Sequence, residues 1–536
     1  MSKKHIYLLS SLSGLLLSLA WPANGFPFLL FIAIIPLLII EDDYFNNAIN
    51  YNKYHIIIPT WLAFFIWNGL TTFWVMNSTL FGGIMAVLLN SFLMAFVFMV
   101  YHIVRRTIKH KNGQFLLLFL WLAWEYFHLD WDLSWPWLTL GNAFASYPSV
   151  IQWYEYTGVA GGSLWIITIN ILLFRIIKLI YNKHHKTKTF AIQSSLTGLV
   201  ILLPIVFSLI RYYNYSETNK PVNITIVQPN NDPYSEQYEL PPAVILKNIL
   251  HLADSVSDAK TDFVLAPESA IQEHSLFERD LDKSNSVHRL KNYIEKNPNT
   301  AIVIGASTYY VFDKEEALPL SARKFQNSER YYNAYNTAIY LDKDFKTQVY
   351  HKSKLTPAVE KMPFKKLFKN IESLAIDLGG TIGSLGTDKY RIPFTTKKGF
   401  KVAPVICYES IYGEFVSKFV YNGAELLFII TNDGWWGNTP GHKQHMQYAR
   451  LRAIETRRSV ARSANTGISA FINQRGDIIS KTKYWEKDAI NTTLNANNKK
   501  TFYVSHGDFI SRVAVFISAF ILLMSISSAI RNKKKL

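Results

Sequence analysis

The chain contains a single cysteine, Cys407. That excludes an intramolecular disulfide framework and any metal site built from several thiolates. Acidic residues are also scarce: 39 Asp and Glu stand against 56 Lys and Arg, for a net charge of +17. Such an excess suits nucleic acid, but the basic residues are not spread as a nucleic-acid face would need. They crowd beside apolar runs, in "VRRTIKHK", "RIIKLIYNKHHKTK" and the terminal "RNKKKL". That is the pattern of cytoplasmic flanks of membrane spans, so no nucleic-acid partner is expected. No Gly-x-Ser-x-Gly turn occurs, which argues against a serine hydrolase. No internal repeat or low-complexity tract stands out.

Long apolar runs are plentiful. They fill roughly the first 210 residues and the last 30, whereas the stretch between has ordinary soluble composition. Eight apolar segments begin near His5, Pro27, Tyr54, Leu80, Gln114, Gly158, Ala191 and Phe509. If "MSKK" starts in the cytoplasm and the sides alternate, each strongly basic loop falls inside. The aromatic loop "HLDWDLSWPWLTLGN" and everything from about Tyr212 to Asp508 then fall outside. The first segment has the look of a signal peptide, but an uncleaved span is preferred because the second segment would otherwise lose its membrane partner. The expected domains are 1–212 (seven spans), 220–500 (globular) and 507–536 (the eighth span and a basic tail). Asn68, Asn90 and Asn170 are expected to make helix–helix hydrogen bonds, and Glu125 to line a lipid path.

The middle region reads as layered α/β. "VNITIVQ", "DFVLAPES", "TAIVIGAS", "NTAIYLD", "KVAPVICYES" and "LLFIITND" are continuous apolar runs, as suits strands buried on both faces. "GHKQHMQYARLRAIETRRSVARS" (441–463) reads as a helix. The Gly-rich "LGGTIGSLGT" (378–387) lacks the Lys-Ser/Thr of a phosphate cradle and reads as a surface loop. His442 and His445 have a metal-like spacing without an evident third ligand; they are expected to sit at a helix start beside the site, with no metal.

Three polar residues stand at strand ends, where open α/β sheets place their chemistry. They are Glu268, Lys352 and Cys407. A cysteine reacts as its thiolate, a carboxylate can take its proton, and a lysine can stabilise the thiolate and then an oxyanion, with the following backbone N–H. A lone cysteine in an apolar run also fits inert packing, and a lone Glu or Lys fits a solvated surface. The placement of all three favours chemistry.

"APES", "YHKSKLTPAVE" and "VICYES" resemble the Glu, Lys and Cys motifs of the nitrilase superfamily. More closely, the whole chain resembles the bacterial apolipoprotein N-acyltransferase family. Its most specific stretch is "ITNDGWWGNTPGHKQHMQYARLRAIETRRSVARSANTG", with Asn432, Asp433, Trp435, Gly437, His445, Ala449, Arg452, Glu455, Arg462 and Asn465 at the family's spacing. The resemblance implies an eight-helix membrane domain plus an α-β-β-α sandwich. It implies Glu268 as general base, Lys352 as oxyanion stabiliser and Cys407 as nucleophile. Glu360, Tyr408, Glu409 and Asn336 become accessory residues, and Trp435 and Tyr238 substrate contacts. Pro357-Ala358-Val359-Glu360 departs from the family's Pro-Phe-Gly-Glu, which puts the placement of Glu360 in question. Tyr238 stands where a Trp is usual. Lys354 competes with Lys352 for the lysine role, but spacing to Glu360 favours Lys352.

The implied reaction moves an acyl chain from a membrane phospholipid, through a thioester on Cys407, to the N-terminal amine of a diacylglyceryl-cysteine on an apolipoprotein. No cofactor is implied. The expected protein is a monomer in the bacterial inner membrane, with a periplasmic catalytic domain and both termini cytoplasmic. The alternatives are a membrane-tethered nitrilase-like amidohydrolase, and a transporter or scaffold with a degenerate domain.

Overall fold

The structure, a computed structural model, describes residues 1–109, 112–273, 276–326, 328–344, 347–364 and 384–533. Most of the Gly-rich tract 378–387 lies outside the described residues. Two compact units divide the chain: 1–76, 83–214 and 506–536 form one, and 77–82 and 215–505 the other.

The first unit is helical. Four of its helices are long and apolar enough to cross a membrane: Leu80–Ile108, Tyr154–Tyr181, Lys188–Asn214 and Phe509–Arg531. Shorter apolar helices cover Lys3–Leu19, Ile35–Asn46, Ile57–Thr72 and Leu116–Phe127. Several polar groups inside the unit pair with one another or with backbone, as an apolar surrounding favours. Asn90 Nδ2 donates to Asn68 Oδ1 at 2.7 Å, and Asn170 Nδ2 donates to the Leu30 carbonyl at 2.6 Å. Glu125 is turned inward rather than presented as a free charge. Its Oε1 accepts from Trp121 Nε1 at 3.1 Å and from Leu140 N at 2.9 Å. Buried Glu41 accepts from Tyr101, His102 and Arg105, while Arg105 and Lys178 share Asp42.

The second unit holds two sheets. The first contains β1 (Pro221–Gln228), β2 (Phe263–Leu265), β3 (Ala301–Val311), β4 (Arg323–Lys324), β5 (Tyr331–Leu341), β6 (Gln348–His351) and β13 (Asp488–Asn495), in the order β13-β1-β2-β3-β5-β4 with β6 beside β5. The second runs β12-β11-β10-β9-β8-β7, built from β7 (Phe394–Thr395), β8 (Lys401–Ile406), β9 (Leu426–Thr431), β10 (Ser459–Ala464), β11 (Ala470–Ile472) and β12 (Ile478–Lys481). β1-β2-β3 and β8-β9-β10 are the parallel cores.

The apolar runs are buried on both faces, and strand alternation sorts them. Val222, Ile224, Phe263, Leu265, Val303 and Tyr340 join Val405, Phe428 and Ile430 in one core between the sheets. Phe263 and Phe428 meet edge-on across it, with ring centroids 5.0 Å apart. The intervening residues Val227, Val264, Ile302 and Ile339 face the other way, onto helices Pro242–Val256 and Asn285–Lys296. Helices Gly413–Tyr421 and Pro440–Thr456 cover the second sheet. The layers are therefore α-β-β-α.

The stretch 441–463 is not one helix. Thr439 caps the helix start and Pro440 opens it, but Arg457 turns left-handed (φ 51°) and ends it after Thr456. The chain continues as β10, fully buried between β9 and β11. Tertiary pairing there overrides the helical pattern.

Gly305 on β3 admits close backbone contact: a Cβ would stand 2.6 Å from Glu268 Cα and Ser269 N and 2.7 Å from the Pro267 carbonyl. These are backbone atoms and have no rotamer to yield. Gly305→Ala is expected to cost about 1–3 kcal/mol in folding stability. It should also displace Glu268, and thermal unfolding would show the loss of stability.

Candidate active site

Glu268 follows β2, Lys352 directly follows β6, and Cys407 directly follows β8. Their strands end on the same side of the sandwich, and the structure brings the three together. Lys352 Nζ lies 3.0 Å from Glu268 Oε1 and 2.8 Å from Glu360 Oε1. Asn336, on β5, donates its Nδ2 to both carboxylates, at 2.7 Å and 3.2 Å. Glu268 Oε2 accepts from Asn432 N at 3.0 Å. Glu268, Lys352 and Asn336 are buried, while Glu360 and Cys407 are half-buried.

One cation thus sits between two carboxylates, with a neutral amide as their second common donor. Burial works against the Lys352 ammonium. Glu268, Glu360 and Cys407 outweigh it and hold the amine well above its usual range. Burial likewise opposes the Glu360 carboxylate, but Lys352 and the Thr356 N–H pull it below the usual range. Burial pushes the Cys407 thiol up. Glu268 and Asp433 add to that push, and Lys352 opposes it. A resting thiol beside a carboxylate is what base-assisted attack requires.

Cys407 occupies the left-handed region, φ 48°, which is costly for a residue with a Cβ. The β8 strand ends there and a short turn, Cys407–Ile411, follows. The turn is braced by Glu409, fully buried, whose Oε2 accepts from Ile406 N at 2.8 Å. Its Oε1 accepts from Ser353 N at 2.6 Å and from Tyr350 OH at 2.7 Å. One carboxylate therefore ties the residue before Cys407 to the residue after Lys352. Tyr408 is buried beside Tyr412, ring centroids 5.3 Å apart.

Glu360 keeps its contact with Lys352 despite the altered motif. Ala358, one residue before the position of the family's glycine, is left-handed (φ 64°). Lys354 does not join the carboxylates; its Nζ lies 5.0 Å above the Tyr412 ring. Trp435 is half-buried, with Tyr234 and the exposed Tyr238 against it at centroid distances of 5.1 and 6.2 Å.

Sequence reasoning missed His351, next to Lys352. Its ring stacks on Tyr335 at 3.9 Å, and its nitrogens meet Glu278 Oε1 at 2.7 Å and Asp388 Oδ1 at 2.8 Å. Burial disfavours the imidazolium, but hydrogen bonds to Asp388 and Glu278 outweigh burial and raise it to about 9. A folded-state value above the ordinary 6.5 means that this stability is fully present below pH 6.5 and lost as pH rises through 9. Thermal unfolding between pH 6 and 10 should show that fall, and His351→Gln should flatten it.

His442 stacks on Tyr484 at 3.9 Å and belongs to no cluster of ligand-type groups among the described residues. His445 is different: Cys407, Asp433 and His445 place their ligand-type atoms within 4.8 Å of one another. This group of three does not include His442, so it is not the pair the spacing suggested. However, the Arg462 guanidinium already pairs with Asp433 at 2.5 Å, with both side chains fully buried. A fixed cation on the central carboxylate disfavours a second one there.

Glu268, Lys352 and Cys407 thus meet at the strand ends of an α-β-β-α sandwich, and the chain belongs to the carbon-nitrogen hydrolase family by its match over residues 223–500. Residues 13–172 match the apolipoprotein N-acyltransferase N-terminal domain. Apolipoprotein N-acyltransferase of Chlorobaculum tepidum is 29% identical over 534 residues, covering 97% of this chain and 96% of the relative. That of Geobacter metallireducens is 27% identical over 520 residues, covering 94% and 92%.

Proposed function

We infer that this integral membrane protein is an apolipoprotein N-acyltransferase. The observation that carries the reading is the Glu268–Lys352–Glu360 cluster beside Cys407, in a chain that also matches that enzyme's N-terminal domain. The acceptor is a lipoprotein amine. The donor is a membrane phospholipid, and the enzyme acts as a monomer. The apolar segments cross the inner membrane eight times, with the catalytic domain (220–500) periplasmic and both termini cytoplasmic. The basic loops Arg105–Lys111, Arg175–Lys188 and Arg531–Lys535 support that orientation.

Glu268 takes the thiol proton of Cys407, and the sulfur attacks the ester carbonyl carbon of the phospholipid. Lys352 and the Tyr408 N–H hold the oxyanion. The ester C–O bond breaks, the lysophospholipid alkoxide takes the proton from Glu268, and a thioester remains on Cys407. The α-amine of the diacylglyceryl-cysteine then attacks the thioester and yields its proton to Glu268. The C–S bond breaks, an amide forms, and the proton returns to Cys407. Glu360 and Asn336 hold Lys352 and Glu268 in register throughout. Trp435 and Tyr238 supply amphipathic ring surface for the acyl chains.

Transfer and hydrolysis share the first half of this scheme. Purified protein loaded from phospholipid should discharge its acyl group onto a diacylglyceryl-cysteine peptide and hold it against water. Rapid discharge in buffer alone, with no N-acylated peptide by mass spectrometry, would instead make the chain an amidohydrolase or lipid hydrolase.

A further inference from the structure

Behind the nucleophile lies a polar network that the reaction above does not use. His445, on helix Pro440–Thr456, is fully buried. Its Nδ1 lies 2.9 Å from Asp433 Oδ1, and Asp433 Oδ2 accepts from Arg462 Nη2 at 2.5 Å. On the other side of the ring, Nε2 lies 3.2 Å from the carbonyl oxygen of Cys407 and 2.9 Å from Ser410 Oγ. Ser410 Oγ donates to the same carbonyl at 2.7 Å.

A carbonyl only accepts, so its contact with His445 requires Nε2 to carry a proton and donate it. The carbonyl of Cys407 and the N–H of Tyr408 belong to one planar trans peptide and point in opposite directions. Two donors on the oxygen therefore fix the direction of the N–H on the far side and polarise it. That peptide follows a residue at φ 48°, a conformation that persists only where its surroundings impose it. Fully burying the ionic pair Asp433–Arg462 beside a histidine is costly as mere packing; apolar side chains of similar volume would usually serve as well.

We propose that His445, aligned by Asp433 and Arg462 and assisted by Ser410, is a positioning residue for acyl transfer: it clamps the Cys407 carbonyl and so aims the Tyr408 N–H at the oxyanion. This rests on the thioester reading above. The network holds the peptide plane after Cys407, and ligand-type atoms of Asp433 and His445 also stand within 4.8 Å of the Cys407 sulfur. Its loss should fall on the acylation step and not on lipid binding. It should weigh more heavily on acylation than on reactions of Cys407 that pass through no oxyanion.

The test uses the full-length protein in nanodiscs containing phosphatidylethanolamine, with intact-mass detection of acyl-Cys407 in a single turnover. Wild-type acylation checks the thioester reading by itself. His445→Ala is expected to slow acylation by about 10- to 100-fold, less than the roughly 10²- to 10³-fold for deleting an oxyanion donor outright because the Tyr408 N–H itself remains, with the half-saturating lipid level unchanged. Alkylation of Cys407 by iodoacetamide, which forms no oxyanion, reports any change in the thiol itself and should fall far less than acylation does. His445→Gln restores a donor and should recover much of the acylation, and Ser410→Ala should produce a smaller loss of the same kind. If His445→Ala does not fold, the Gln and Ser410 variants decide. The proposal is overturned if acylation by the folded variants stays at the wild-type rate, if alkylation and acylation fall together, or if Gln is no better than Ala.

Discussion

Cys407→Ala is expected to abolish acyl transfer while leaving the fold intact. The sulfur is the only thiol in the chain, so nothing else can carry the thioester. Its side chain is half-buried and lies at the end of β8, outside the run of fully buried positions Val402–Ile406. Removing one sulfur there should change stability by about 1 kcal/mol or less. Activity should fall by on the order of 10³-fold or more, the usual result of deleting a nucleophile. Cys407→Ser is expected to do almost as badly. Glu268 has a thiol proton to remove in the native enzyme, and an alcohol holds its proton far more tightly. Lipoprotein maturation in cells depending on either variant, with thermal unfolding of the purified protein, checks both halves.

The second large effect is at Lys352. Lys352→Met leaves Glu268 and Glu360 facing each other across Asn336 with no cation between them. Lys352 is buried and bonds to both carboxylates, at 3.0 and 2.8 Å. Deleting one partner of a buried ionic cluster costs about 3–5 kcal/mol, because the remaining charges stay desolvated. Acylation should fall by at least about 10²-fold in the fraction that folds, because the oxyanion loses its cation. The double variant Lys352→Met/Glu360→Gln separates the two losses. Neutralising Glu360 removes the like-charge conflict, so unfolding temperature should recover in part while acylation stays lost. Recovery of both would mean that Lys352 is structural only.

These residues were visible in the sequence because each closes or follows a strand-like run. Continuous apolar segments with Val, Ile and Phe mark strands buried on both faces, and the sheets contain them. Local pattern could not supply what depends on tertiary placement. The polar, Arg-rich tract 441–463 carries a helical pattern past Thr456, yet burial between β9 and β11 turns its end into strand β10. His351 reads as one more polar residue in "YHKSK"; only the fold brings Glu278 and Asp388 to its two nitrogens. The change at Ala358 and Val359 put Glu360 in doubt, but Ala358 takes the left-handed conformation and Glu360 still reaches Lys352. His442 and His445 looked like a pair by spacing. In space they part, one onto Tyr484 and the other onto Asp433 and the Cys407 turn.

The most direct measurement is the mass of Cys407 after the protein meets a phospholipid in the absence of acceptor. One acyl chain should appear on the Cys407 peptide, sensitive to hydroxylamine as a thioester is, with an equivalent of lysophospholipid released. It should be absent from Cys407→Ala and strongly reduced in Glu268→Gln. A wild-type protein that stays unmodified while N-acylating a lipopeptide would contradict the thioester, and so would an acyl group found on any other residue.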